Sequence, residues 1–229
     1  MKKKIIIAVV VIVGIIIATI GYFVIKDLSQ ENILRMEAVE LNGKDEMSDD
    51  YMKIEIKTTG DYALVETAIK NYMKDYSINF QKSMEVINED KFSQILSIEN
   101  YEQDGPNFVE TKELIKKGKE GFEKYSAELL NMTEEEKIMS YLDQSLESYY
   151  QDLYKELLLV TLGFDNYDEL RQDCLDGIEI INTTMKGIEN IIDYLIQEKG
   201  NWKIDDGMIL FQTDEQLEGY NALVDQLDV

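Results

Sequence analysis

The chain has 229 residues, with 23 Lys and Arg against 46 Asp and Glu, no His, and a formal charge of -23. That balance excludes a basic nucleic-acid binder, and the lack of His excludes imidazole bases, Ser-His and Cys-His nucleophile pairs and His-ligated zinc. One Cys excludes intrachain disulfides and Cys-cluster metal sites, while 45% hydrophobic residues suffice for a sizeable core.

Ile5 to Ile25 is an apolar run interrupted only by Gly14, Ala18, Thr19, Gly21 and Tyr22. Its helical length is about 31 Å, against a hydrocarbon core of about 30 Å. Lys2, Lys3 and Lys4 precede it, whereas Lys26, Asp27 and Glu31 follow it. The positive-inside rule then places the N-terminus in the cytoplasm and the rest outside. Tyr22 and Phe23 fall at the outer interface, where aromatic rings concentrate. A cleavable signal is the competing reading, but its apolar core is shorter and ends in an A-x-A-like site. Gly14 and Ala18, four apart, offer a small-residue helix contact and hence a homodimer as one option. The expected location is the cell membrane, single-pass, with residues 5–25 in the bilayer.

Lys26 to Glu40 either continues the anchor as a helix or extends, and residues 27–60 read as a stalk or linker. Within it Met52, Ile54 and Ile56 alternate with Lys53, Glu55 and Lys57, the period of a short strand. From Asp61, a candidate N-cap after Gly60, three- and four-residue apolar steps predict a helix to Ile87. Asp104-Gly105-Pro106 breaks the chain, and Asn107 with Glu110 resembles a helix start. Gly118 and Gly121 lie inside that helix and mark a kink or close packing. Thr133 and Glu136 form a T-x-x-E box that predicts one long helix through Leu158. Asp165 or Asn166 caps the next helix, Tyr167 to Glu198, closed by Lys199-Gly200. Asp206-Gly207 between Trp202-Ile204 and Met208-Phe211 predicts a hairpin near 201–212, and Thr213 with Gln216 caps a final helix. The expected fold is therefore mainly α. An N-terminal transmembrane helix (1–26) and the stalk precede an antiparallel helical bundle (61–229) with a small β-hairpin or three-stranded element.

The reactive groups in abundance are carboxylates. Glu134-Glu135-Glu136 complements a helix N-terminus. Asp165, Asp168, Glu169, Asp173 and Asp176 are dense but do not match a calcium-loop spacing, so no metal or cofactor is assigned. Cys174 sits on an apolar helical position, without a His to activate it. Ser83 and Ser126 carry no nucleophile signature, and no catalytic residue is assigned. Tyr149, Tyr150 and Tyr154, with Tyr141, are the candidate partner-binding residues. Adjacent Tyr149 and Tyr150 project about 100° apart and cannot both face a core centre. These features point to an anchored, extracytoplasmic, non-catalytic module that binds a protein or envelope partner. The alternatives are a small-ligand sensor domain working with a membrane partner and, less favoured, a carboxylate-based hydrolase.

Overall fold

The computed structural model describes residues 25–42, 55–88, 92 and 94–227. The chain is mainly helical with a small antiparallel sheet. Residues 25–42 form helix α1. There follow α2 (Asp61–Asn88), α3 (Ile98–Asp104), α4 (Val109–Met132), α5 (Glu135–Met139), α6 (Ser148–Leu162) and α7 (Tyr167–Gln197). Strands β1 (Trp202–Asp205) and β2 (Met208–Phe211) and helix α8 (Asp214–Val224) complete the order. Among the described residues no helix is long and apolar enough to cross a membrane. The run Ile5–Ile25, apart from Ile25 itself, lies outside them, as do Lys2, Lys3, Lys4, Tyr22 and Phe23.

The residues group into two compact units that interleave along the sequence. The first takes Met1–Lys74 and Glu135–Tyr167, and the second Asp75–Glu134 and Asp168–Val229. In the first unit α1, the leading half of α2, α5 and α6 bury Leu34, Ala38, Leu41, Tyr62, Val65, Ile69, Tyr72, Ile138, Leu153, Tyr154, Leu157 and Leu158. Leu34, Ala38 and Leu41 recur at helical spacing, so one face of α1 is core. Over residues 26–40 the chain takes the helical of its two expected forms. Asn42, the last described residue of α1, donates to the Val160 carbonyl at 2.9 Å.

The predicted long helix from Thr133 is broken. Thr133 ends α4, its hydroxyl donating to the Leu130 carbonyl, and α5 has only five residues. Between α5 and α6 the side chains replace helical hydrogen bonds. Asp143 accepts from the Ser145 amide, Gln144 donates to the Met139 and Leu142 carbonyls, and Gln151 donates to that of Leu146. Short polar side chains compete with the helix ladder in this way. The apolar period runs on through the break, which hid it.

The second unit is built on Phe92, Ile95, Tyr101, Phe108, Ile115, Phe122, Met185, Ile191, Ile192 and Leu195. Its α4 starts at Val109 rather than Asn107. Phe108 takes a left-handed φ of 50° without a side-chain cap, and Asp104 does the capping instead. The Asp104 carboxylate accepts from the Glu110 and Thr111 amides at 3.2 and 2.7 Å. Gly118 and Gly121 are close-packing sites: a Cβ there would lie 2.6 Å from the Phe92 ring and 2.4 Å from Val86. The hairpin forms as its turn chemistry requires, with Asp206 and Gly207 at φ 49° and 70° and Ile204 opposite Ile209. Trp202, Ile204, Ile209 and Phe211 turn one face to the core. The Trp202 indole donates to the Leu195 carbonyl at 2.7 Å. The Thr213–Gln216 capping box is complete.

The sheet has two strands among the described residues. Of the strand predicted over 52–57, Met52 to Ile54 lie outside those residues, and Glu55 to Lys57 have no strand structure. The Lys57 amide goes to a carboxylate, not a ladder, for the reason given next.

Candidate functional site

Helix α2 presents Glu66 and Lys70, four apart, on the same side as buried Tyr62, Val65, Ile69 and Met73. Helix α1 brings Glu37 from beside Ala38, and the segment before α2 brings Lys57 and Thr58. Glu66 is 1% exposed and Lys70 8%. Charged groups this deep require partners, and here each has several. The Glu66 carboxylate accepts from Lys70 Nζ at 2.6 Å, from the Thr58 hydroxyl at 2.7 Å and from the Thr58 and Lys57 amides at 2.8 and 3.0 Å. Lys70 Nζ also donates to Glu37 Oε2 at 3.0 Å and to the Glu55 carbonyl, so its three protons are all engaged. Glu37 Oε1 accepts from Lys57 Nζ.

The electrostatics follow from this. Burial pushes the Glu66 carboxyl up, but the bonds from Lys70, Thr58 and the two amides outweigh it and leave it below the ordinary carboxylate range. Burial acts on Glu37 in the same sense and is likewise outweighed, by Lys57 and Lys70. Lys57 is raised, chiefly by its bond to Glu37. The cluster is a clamp that ties α1, α2 and the intervening segment together. No oxygen of Glu66 is left to take a substrate proton. Among the described residues no buried side-chain polar atom lacks a partner.

The tyrosines occupy different environments. Tyr154 is fully buried, and its hydroxyl donates to the Ile138 carbonyl at 2.9 Å, so it cannot serve as a surface contact. Tyr149 is 45% exposed. Its hydroxyl donates to Glu31 Oε2 at 2.6 Å, which leaves its oxygen to accept from the Tyr62 hydroxyl at 3.5 Å. Glu31 is lowered by that bond and by Arg35, which also reaches Glu156 at 2.7 Å. Half-buried Tyr150 lies edge-on between Tyr62 and Tyr149, with centroids 5.1 and 5.2 Å away. Tyr141 packs edge-on against Tyr72. Tyr149 and Tyr150 therefore form a rigid, half-wet aromatic corner braced by a carboxylate.

The remaining candidates are local. Glu134 pairs with Arg171, and Glu135 with Lys155. No group of three or more acidic or Cys side chains among the described residues is placed to hold a metal ion. Cys174 is half-buried, and burial pushes its thiol up, away from nucleophilic use. Ser83 and Ser126 donate to carbonyls in their own helices, those of Phe80 and Glu123. A surface groove of about 650 Å³ runs beside the clamp, lined by Asn32, Met36, Val39, Glu40 and Lys57 among others. The clamp itself was not singled out from the sequence. Its signal was the i, i+4 Glu66–Lys70 pair flanked by apolar residues on the same face. No protein-family model, curated protein or solved structure matches the chain.

Proposed function

We propose that the chain is a single-pass, membrane-anchored module, cytoplasmic only at its N-terminus, whose folded units bind a protein or cell-envelope partner without catalysis. The observation that carries this reading is that the chain just after the apolar run is helical: α1, described over residues 25–42, drives Leu34, Ala38 and Leu41 into the first unit. An apolar run of membrane-spanning length would thus pass straight into a core helix, giving the folded body a stiff mount on the bilayer. The lysines at positions 2 to 4 support the orientation. The clamp supports binding over catalysis, because its charges are committed to one another. The braced pair Tyr149 and Tyr150 supplies aromatic surface of the kind that anchors protein contacts.

Two measurements test this. In a Cys174→Ser background, Glu218→Cys should react with a membrane-impermeant maleimide on intact cells. Reaction only after lysis overturns the topology. A photo-crosslinking side chain at position 149 should give a discrete adduct in cells, and one at exposed Lys116 should not. No adduct at 149, or the same adduct at both positions, removes the partner surface from the tyrosines.

A further inference from the structure

We propose that the outward face of α1 is the seam of a parallel homodimer. Met36 and Ile25, 73% and 71% exposed, are the two most exposed large apolar side chains among the described residues. Val39 and Leu28 follow at 63% and 59%. Single exposed apolar residues are ordinary, but these four share one stripe. With Asn32, also exposed, they stand at steps of three, four, four and three residues. At 3.6 residues per turn they span an arc of about 80°, on the side of the helix opposite Leu34, Ala38 and Leu41. Helix α1 thus has two apolar faces, and the first unit covers one.

The spacing selects the occupant. Ile25 to Met36 and Leu28 to Val39 are each eleven residues, a repeat close to the natural helical period, so the stripe runs nearly straight along the axis. A second copy presents the same stripe at the same spacing, so its side chains meet like with like along the seam. Asn32 sits mid-stripe. Its amide both donates and accepts, so it pairs with its own copy, and a lone Asn in a helical seam fixes register. The parallel direction rests on the anchored reading above, in which both copies enter the bilayer the same way.

The test uses the full chain in detergent micelles, where neither readout depends on the side of the membrane the units face. In a Cys174→Ser background, oxidation should crosslink Leu28→Cys, Asn32→Cys and Val39→Cys as dimers. Asp27→Cys, exposed but on another side of α1, should stay monomeric. Light scattering of the unmodified chain should give twice the monomer mass. The double variant Leu28→Glu/Met36→Glu should give the monomer mass with unchanged helical content by circular dichroism, since both side chains are exposed in the single chain. A monomeric parent, a dimer indifferent to the double variant, or equal crosslinking at Asp27→Cys overturns the seam. Crosslinking at Asn32→Cys without Leu28→Cys means antiparallel pairing and overturns the parallel assignment. A micellar dimer whose Glu218→Cys is shielded in intact cells upholds the seam and removes only the topology.

Discussion

The buried ion cluster makes sharp demands on single residues. Glu66→Ala leaves the Lys70 ammonium without its nearest counter-charge in a site 8% exposed. Removing one partner of a buried ion pair costs about 3–5 kcal/mol, a loss to be read from urea unfolding. Glu66→Ala combined with Lys70→Met should cost less than the two single changes added together, because each single change leaves the other buried charge short of a partner and the double change removes both. Acid should act on the same group. Glu66 and Glu37 titrate below their ordinary range in the folded chain. Their contribution is complete above the unfolded value and fades as pH falls through the lower folded one. The stability gap between the parent and Glu66→Gln should therefore shrink between pH 6 and pH 3. A gap that is flat or widens on acidification would contradict the clamp.

At the scale of elements, the glycines of two helices should respond in opposite directions. Gly118→Ala meets the Phe92 ring 2.6 Å from the new Cβ, and overpacking of this kind costs about 1–3 kcal/mol. Gly177 in α7 has nothing within 4 Å, so Gly177→Ala should stabilise by up to about 1 kcal/mol. Thermal unfolding of the pair checks the sign. Asp104→Ala should destabilise by about 1 kcal/mol, since that carboxylate, and not Asn107, caps α4. What was legible in the sequence follows from local chemistry. Asp206-Gly207 and Thr213–Gln216 each specify their geometry within four residues, and both form. The break after α5 was not legible, because Tyr141, Leu142 and Leu146 keep the helical period while Asp143 and Gln144 take the backbone bonds. The core face of α1 was equally hidden, with its three buried residues set among charged ones. The clamp was missed because composition treats a carboxylate or an ammonium as solvated. Only the tertiary fold places Glu37 and Thr58 beside Glu66 and Lys70.

Across the whole molecule, charge sets the solution behaviour. A formal charge of -23 without His means that no side chain of ordinary pKa titrates between about pH 5.5 and 8, so stability there should be level. The same surplus repels itself, and the screening length falls from about 30 Å at 0.01 M salt to about 8 Å at 0.15 M. The melting temperature should accordingly rise with added sodium chloride over that range, as scanning calorimetry would show. The core face of α1 also has a practical corollary for where the polypeptide can be cut. A fragment trimmed at residue 43, the obvious way to shed a greasy leader, would also discard three core side chains and the acid that meets Lys70. Recombinant work is better served by starting at residue 25, which keeps all of α1 that is described and sheds residues 1–24.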